Sequence, residues 1–279
     1  MIEAFHSLWT KPYLISNLTS KYEMKDYELL VMILSALNWR KKNGRLRLIT
    51  DSIGFEYIRS LELEFLWDNN ISCFLDKVPE KINPKYYWAA GKLYALSSVQ
   101  APIVMLDMDL IVWNRLNSDI WDKDVVVIHE EEIIDGIYPD KEYFKKNGYI
   151  FNSDWNWKVK PVNTAFLYIS NNEFKQYYVS KAIDFMINNY EAEDRIKYMV
   201  FAEQRLLAMC AEYKKKSINK LYNFSELNKQ KDFTHIWGEK KNLNKQSEFF
   251  CKKCLERIIN DFPYMLNKYL IKKLYRKYF

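Results

Sequence analysis

The sequence predicts an α/β fold in which a mixed, mainly parallel β-sheet carries helices on both faces. Short apolar runs alternate along the chain with longer segments that have helical patterning. Gly and Pro number only 6 and 7 among 279 residues, which is too few for a loop-rich or low-complexity protein. The most apolar run, at 102–113, is interrupted by two aspartates only, as expected for a strand in the centre of such a sheet.

The elements follow from these patterns. The predicted strands lie at 3–7, 45–51, 71–75, 102–113, 125–130 and 165–170. The predicted helices lie at 26–41, 83–98, 171–190, 194–213 and 264–279. Asp26 is placed to cap the first helix, and Asn43-Gly44 ends it. Pro84 falls in the first turn of the second helix, where a missing N–H costs nothing. Ligands of such folds bind beyond the carboxyl ends of the strands.

The composition favours one folded domain. Hydrophobic residues make up 49% of the chain and charged residues 28%, and we see neither an internal repeat nor a Gly/Ser-rich linker. We therefore expect residues 1–261 to form a single domain. The aromatic content of 16% suits a sugar-binding cleft, because a flat ring packs against the C–H face of a pyranose, but it suits an aromatic core equally well.

The N-terminal segment and the apolar runs bear on localisation. The chain contains no run of about 18 apolar residues that could span a membrane. Its first residues, MIEAFHSLW, include an acid at Glu3 and have no basic region before an apolar stretch, so they do not resemble a signal peptide. We expect a cytoplasmic protein, with the inner face of the plasma membrane as a further location.

Residues 262–279 form a predicted basic amphipathic helix. Its apolar residues recur at helical spacing, and after Asp261 the chain has no acid. The basic residues are Lys268, Lys272, Lys273, Arg276 and Lys277. Such a helix suits an anionic membrane surface, and a terminal helix packed on the domain is the alternative.

Cys251 and Cys254 form a C-x-x-C pair, a spacing found in zinc and redox sites. No second pair lies nearby, and the segment is rich in lysine and has helical patterning. Both observations favour two structural thiols over a metal site.

The D-x-D sequence at Asp107 and Asp109 directly follows an apolar run. Carboxylates are rarely buried without a partner, and a hard cation such as Mg²⁺ or Mn²⁺ is a partner that can in turn bind a diphosphate. Capping or surface aspartates are the simpler alternative. A haloacid-dehalogenase-type phosphatase also has D-x-D after a strand, but there Gly-Thr follows near the N-terminus, whereas Leu110-Ile111 follows here at mid-chain.

Five motifs occur in a fixed order over about residues 45–241. They are Gly91-Lys92-Leu93, the strand with D-x-D (APIVMLDMDLIVW), PVNTAFL at 161–167, FAEQRLL with Glu203-Gln204, and HIWGEKK at 235–241. In this order they resemble the glycogenin-like GT-A transferases of glycosyltransferase family 8. Each motif alone has little specificity, but five in the family's order are not expected by chance.

The resemblance implies a GT-A fold and a retaining transferase that uses a UDP-sugar with Mn²⁺ or Mg²⁺. It implies the following roles: metal ligands Asp107, Asp109 and His235; donor-binding residues Lys92, Asp107, Asn163, Thr164 and Gly238; catalytic residues Glu203, Gln204 and Lys241. Asp51, at the end of a predicted strand, is a further candidate for the nucleotide site. The family has Asp where this chain has Glu203, which leaves open whether this carboxylate acts as nucleophile, stabilises the sugar cation or positions substrate.

The expected partners are a nucleotide-sugar donor and a glycan or lipid-linked saccharide acceptor, as in lipopolysaccharide or capsule synthesis. An inverting GT-A transferase, with Glu203 or a nearby acid as general base, is the alternative enzyme. A nucleic-acid-binding protein that uses the basic tail is the alternative of another class. It would leave the D-x-D strand unexplained, and the chain contains no known nucleic-acid-binding motif.

Overall fold

The computed structural model describes residues 2–68, 70–144, 149–192, 194–236 and 240–279, with the backbone alone for 240–246. Its strands are β1 (Ile2–Leu8), β2 (Gly44–Thr50), β3 (Ile71–Ser72), β4 (Ile103–Leu106), β5 (Leu110–Val112), β6 (Val125–Val127), β7 (Phe166–Ile169), β8 (Ile218–Lys220) and β9 (Phe233–His235). Its α-helices are α1 (Lys11–Asn17), α2 (Asp26–Lys42), α3 (Ser52–Ser60), α4 (Ala90–Ser98), α5 (Lys141–Phe144), α6 (Asn172–Asn188), α7 (Arg195–Val200), α8 (Leu206–Tyr213), α9 (Lys240–Asp261) and α10 (Tyr269–Tyr278).

Seven of these strands form one mixed sheet in the order β3-β2-β1-β4-β7-β6-β8. The pairs β2–β3, β1–β2, β1–β4 and β6–β8 are parallel, and β7 runs antiparallel to both of its neighbours. Strands β5 and β9 pair antiparallel in a small second sheet. The predicted α/β class with a mainly parallel sheet is confirmed.

Helices cover both faces of the large sheet. Along β4 the side chains alternate between two core clusters: Val104 and Leu106 pack with α2, and Met105 packs with α4, α6 and α8. Parallel strands buried on both faces need an almost unbroken apolar sequence, and this explains the composition of 102–113.

Helix α2 is buried around most of its circumference, from Tyr27 to Trp39. It lies against the sheet and is itself covered by α9, while α10 packs on α9 in the same core cluster, so apolar residues are needed on more than one side of α2. It begins with Lys25 as its N-cap, so the prediction that Asp26 caps it is wrong by one residue.

The C-terminal helix α10 packs on the domain. Its apolar side, formed by Leu270, Ile271 and Leu274, is buried in the same core as α2. Asp26 at the start of α2 accepts hydrogen bonds from Lys277 Nζ and Tyr278 Oη, each at 2.6 Å. The apolar stripe that was predicted to face a membrane therefore faces the protein core, where it packs with apolar residues of the domain. No described helix combines the length and apolar character that crossing a bilayer requires.

Several element boundaries differ from the predictions. The predicted helix 83–98 begins only at Ala90, because Asn83 instead organises a turn in which its carbonyl accepts the N–H groups of Tyr86 and Tyr87. The predicted strand 71–75 ends at Ser72 and continues as a 3₁₀ turn. The predicted strand 125–130 ends at Val127.

Candidate active site

The predicted strand 102–113 is two strands, and the break between them is the D-x-D sequence. Asp107 N–H still donates to the Ala165 carbonyl at 2.8 Å, and a turn then closes with Leu110 N–H donating to the Asp107 carbonyl at 3.1 Å. Strand β5 leaves the large sheet there and pairs with β9, with Leu110 opposite His235. This second pairing brings His235 beside the aspartates, although 126 positions along the chain separate it from Asp109.

Asp107, Asp109 and His235 form a candidate metal centre. Each offers one ligand atom, and these three atoms lie within 4.8 Å of one another. The imidazole Nε2 of His235 is 3.5 Å from Asp109 Oδ1. Two carboxylates and an imidazole fit a divalent cation such as Mn²⁺ or Mg²⁺ by the chemistry of their donor atoms.

Lys92 of α4 lies between two carboxylates. Its Nζ is 2.9 Å from Asp107 Oδ1 and also forms an ion pair with Glu203. Burial alone would lower the pKa of Lys92, but the Asp107 and Glu203 carboxylates outweigh it and hold that pKa above its usual value. Burial raises the pKa of Asp107, and the Lys92 charge opposes that rise. Lys92 thus links the candidate metal centre, through Asp107, to Glu203.

Glu203 and Gln204 lie in a π-helical turn, Phe201–Arg205, between α7 and α8. Such turns are rare and are frequent at functional sites. The Glu203 carboxylate accepts a hydrogen bond from Thr164 Oγ1, and its backbone carbonyl accepts one from Tyr178 Oη at 2.6 Å. The buried Glu203 carboxylate is therefore held from two sides, by Thr164 and by Lys92.

Asn163 precedes β7 and meets the end of β6, because these two strands are antiparallel. Its Oδ1 accepts from Ala165 N–H at 3.2 Å, and its Nδ2 donates to Glu131 Oε1 at 3.4 Å. The Tyr138 hydroxyl hydrogen bonds with both Glu131 and Gln204. Glu131 and Tyr138 thus connect Asn163 with the π-helical turn.

His129, Glu131 and Tyr138 are not predicted from the sequence. A signal was present for the first two, because His129-Glu130-Glu131 follow the apolar run VVVI as D-x-D follows its own strand. Tyr138 lies in the long segment between β6 and β7, and its contact with Gln204 depends on how that segment folds back. No sequence pattern marks it.

A cavity of about 430 Å³ adjoins the aspartates. Its walls include Trp9, Tyr13, Tyr22 and Trp88, and Lys92 and Asp107–Asp109 line one end. Gly91 allows α4 to approach here, because an added Cβ would lie 2.4 Å from the Cβ of Trp9. The cavity combines aromatic surfaces with the metal candidate, an arrangement that can accommodate a base and its phosphates.

Asp51 is buried and does not line this cavity as the structure describes it. Its carboxylate accepts from Thr10 N–H at 2.7 Å and from Gly54 N–H at 2.8 Å, which caps α3 and fixes the turn after β1. Gly238 lies outside the described residues, as does the side chain of Lys241.

Cys251 and Cys254 are free thiols buried on α9. Burial raises the pKa of Cys254 to about 12, so it stays a thiol at neutral pH. Within the described part of the chain the pair belongs to no cluster of metal-binding side chains.

A family model described as "Family of unknown function (DUF6734)" matches residues 2–272. The chain belongs to this family. No curated protein matches it.

Several solved structures resemble this member of the family. The PaToxG glycosyltransferase is 15% identical over 92% of this chain and 79% of that chain, with a TM-score of 0.42. The galactosyltransferase LgtC, in complex with donor and acceptor sugar analogues, is 13% identical over 72% of this chain and 70% of that chain, with a TM-score of 0.39. The glycosyltransferase GlyE of Streptococcus pneumoniae TIGR4 is 13% identical over 91% of this chain and 52% of that chain, with a TM-score of 0.40.

Proposed function

We propose that this protein is a divalent-metal-dependent glycosyltransferase that transfers a sugar from a nucleotide sugar, with UDP as the expected carrier, to a glycan or glycolipid. The observation that carries the proposal is the metal candidate itself. Asp107, Asp109 and His235 place three ligand atoms within 4.8 Å of one another, beside the Lys92–Glu203 ion pair. The two aspartates also line the cavity that has aromatic walls.

In this reaction the bond between the sugar C1 and the phosphate oxygen breaks, and its electron pair leaves with the diphosphate. The acceptor oxygen forms the new bond to C1, and its proton passes to the departing phosphate. A bound divalent cation would stabilise the charge that grows on the diphosphate. The chain's own contribution is to hold Asp107 and Asp109 at a strand end through backbone hydrogen bonds, so that little reorganisation is needed during the reaction.

Glu203 would stabilise positive charge at the sugar and position the substrate. Its Oε1 atom already contacts both Lys92 Nζ and Thr164 Oγ1, which leaves this oxygen little freedom to accept a proton from an acceptor hydroxyl. This favours transfer with retention over the inverting alternative, in which Glu203 would have to act as general base. Gln204, whose side chain hydrogen bonds with Tyr138, is the neighbouring candidate for contact with the sugar.

The acceptor that we propose is a lipid-linked saccharide, as in lipopolysaccharide or capsule synthesis, at the cytoplasmic face of the membrane. The support is the outer face of α10, which exposes Lys272, Lys273 and Arg276 together with the rings of Tyr269 and Tyr275. Cations with interfacial aromatic rings suit an anionic bilayer surface. The same face is the only support for nucleic-acid binding that we find in the described residues, and the metal candidate has no place in that alternative.

A donor screen tests the proposed function. Each common nucleotide sugar is incubated with the protein and Mn²⁺, and release of the nucleoside diphosphate is followed. We expect one UDP-sugar to be hydrolysed well above the others. The anomeric proton of the transferred sugar in a product then reports the stereochemistry, and a β-linked product from an α-linked donor would assign the enzyme to the inverting class.

A further inference from the structure

A second cavity, of about 410 Å³, shares the metal candidate with the first one. Asp107 and Asp109 line the first cavity, and His235 lines the second. His129, Asn163 and Phe224 also line this second cavity. A ligand in this second cavity would therefore lie next to the site where the proposed transfer takes place.

His129 is the unusual group in this cavity. Its side chain is only 4% exposed, yet no described residue hydrogen bonds with either ring nitrogen. The nearest charged atom, Glu131 Oε1, is 3.7 Å from Nε2, which is beyond hydrogen-bond range. A buried polar group without a partner is costly, and such groups in native proteins call for an explanation.

Three of the polar side chains that line the cavity already form hydrogen bonds within the protein. Asn163 bonds with Glu131 and Ala165 N–H, and Gln230 bonds with the backbone of Asp232 and Phe233. Thr234 Oγ1 accepts from Trp113 Nε1 at 2.8 Å. The imidazole of His129, in contrast, can be engaged by a ligand without breaking a hydrogen bond within the described part of the protein.

The chemistry of the cavity indicates the class of ligand. Burial lowers the pKa of His129, so the ring is neutral at neutral pH and offers one donor and one acceptor. Phe224 stands edge-to-face with it at 5.4 Å between ring centroids and is 61% exposed. A ligand that fits has hydroxyl groups, which both donate and accept, and a C–H face that packs on an aromatic ring. A pyranose has all of these.

We propose that this cavity binds a pyranose ring, that His129 hydrogen bonds with its hydroxyl groups, and that Phe224 packs against its C–H face. The role assigned to the sugar rests on the proposed function, in which it belongs either to the acceptor or to the donor. His129 is then a specificity-determining residue, because a sugar without the matching hydroxyl would leave a buried imidazole unpaired.

The first test is binding without any donor. The chain contains three histidines, so the imidazole NMR signals can be assigned by single substitutions. Methyl glycosides of glucose, galactose and N-acetylglucosamine are titrated into the full-length protein. We expect the His129 signals to move saturably with at least one of them. If no glycoside moves these signals, the proposal is overturned.

The second test uses variants. His129→Phe keeps a flat ring but removes both hydrogen-bonding groups, and it should weaken glycoside affinity by about 10-fold. His129→Gln keeps a donor and an acceptor and should restore part of that loss. Phe224→Ala should weaken binding without loss of folding because the ring is largely exposed, and Phe249→Ala, an equally exposed ring on α9, is the matched control. Wild-type affinity in both His129→Phe and Phe224→Ala would overturn the proposal.

The source of the sugar follows from kinetics with the nucleotide sugar. If His129→Phe raises the KM for the glycoside acceptor and leaves that for the donor unchanged, the ring belongs to the acceptor. The opposite pattern assigns it to the donor. If the protein hydrolyses no nucleotide sugar and a glycoside still moves the His129 signals, the proposed transferase function fails and the saccharide site stands.

Discussion

Lys92 is the residue on which the charge balance of the candidate site depends. It lies between the carboxylates of Asp107 and Glu203 and is only 12% exposed. Without it, the carboxylates of Asp107 and Glu203 would lose the cation that they share. The Lys92 ammonium group forms ion pairs with both carboxylates and so holds them in place before substrate arrives.

Replacing Lys92 tests this balance. Lys92→Met should lower the free energy of unfolding by roughly 3–5 kcal/mol, because it leaves buried carboxylates without their cation. The double variant Lys92→Met/Glu203→Gln should recover part of the loss, since one of the two negative charges is then gone. Urea unfolding measures both, with Lys123→Met, at an exposed lysine, as control. If Lys92→Met were as stable as the control, Lys92 would have no structural role here.

Asp109 is expected to bind the cation directly. Asp109→Ala should weaken Mn²⁺ binding in the presence of UDP and reduce donor hydrolysis by at least about 100-fold, because metal stabilisation of a leaving group contributes several kcal/mol. Calorimetric titration of Mn²⁺ gives the affinity. Asp122→Ala removes an exposed carboxylate outside the site and should change neither quantity. Unchanged Mn²⁺ affinity in Asp109→Ala would remove this residue from the metal centre.

The residues that sequence predicts best are those attached to a regular element. Asp107 and Asp109 follow an apolar strand, and the structure places both beside His235, Lys92 and, through Lys92, Glu203. The sequence pattern could not show that Lys92 pairs with Glu203, because the two residues are far apart in the chain and meet only when two helical segments pack together. Asp51 also ends a strand, but the structure uses it as a helix cap, a role that the same position allows.

At the scale of elements, the break between β4 and β5 is the feature that could not be predicted from the sequence. Twelve nearly continuous apolar positions predict one strand, and hydrophobicity is indeed maintained throughout. The strands part because β5 finds a different partner, β9, far along the chain. The π-helical turn at Phe201–Arg205 is likewise invisible in the sequence, since its residues fit an ordinary helix equally well.

His6 links four elements near this break. Trp67 Nε1 donates to His6 Nδ1 at 3.2 Å, so Nε2 carries the proton and donates to Ser35 Oγ at 3.1 Å. Ser35 in turn donates to the Leu110 carbonyl at 2.5 Å. The chain of bonds joins β1, α2 and β5 with the 3₁₀ turn that contains Trp67. Burial lowers the pKa of His6 from 6.5 to about 3.

This pKa predicts a dependence of stability on pH. Below pH 6.5, His6 becomes protonated in the unfolded chain but stays neutral in the folded protein. The free energy of unfolding therefore falls as pH falls from 6.5 towards 3. The slope from this group approaches about 1.4 kcal/mol per pH unit. Urea unfolding from about pH 7 to about pH 5 should therefore show a steeper loss in the wild type than in His6→Asn. Equal slopes would mean that His6 is protonated in the folded state.

Helix α10 combines a structural side and an exposed basic side. Deleting residues 262–279 should destabilise the domain, because burying each aliphatic side chain such as Ile271 contributes about 1.5–3 kcal/mol. Thermal unfolding measures the loss. A truncated protein as stable as the full chain would show that the helix does not pack on α2 and α9.

Charge reversal tests the proposed membrane contact without disturbing that packing. The triple variant Lys272→Glu/Lys273→Glu/Arg276→Glu should lose co-sedimentation with anionic liposomes and keep its melting temperature, since all three side chains are exposed. Binding by the wild type should weaken as salt rises, because exposed charges are screened. Liposome binding that survives the triple variant would locate the contact elsewhere, and a shift of a labelled nucleic acid instead of liposomes would favour the alternative partner.

At the scale of the whole molecule, the candidate site residues lie together at one end of the central strands, which is called here the site edge of the sheet. Strand β4 ends there just before Asp107, β6 ends before His129, and the antiparallel β7 begins there after Thr164. The alternation of strands and helices predicted this edge in general terms, because parallel strands bring their carboxyl ends together. It did not predict that β7 is reversed, and the reversal is what places Asn163 and Thr164 at the site.

The most direct test of the central claim is metal-dependent release of UDP. The wild-type protein is stripped of metal by exhaustive chelation, supplied with the UDP-sugar selected by the donor screen, and assayed before and after Mn²⁺ or Mg²⁺ is added back. We predict no UDP release from the stripped protein and recovery on addition of either cation. Full activity in the stripped protein, or no release of UDP from any sugar donor with the metal present, would contradict the assignment of Asp107, Asp109 and His235 to a catalytic metal centre.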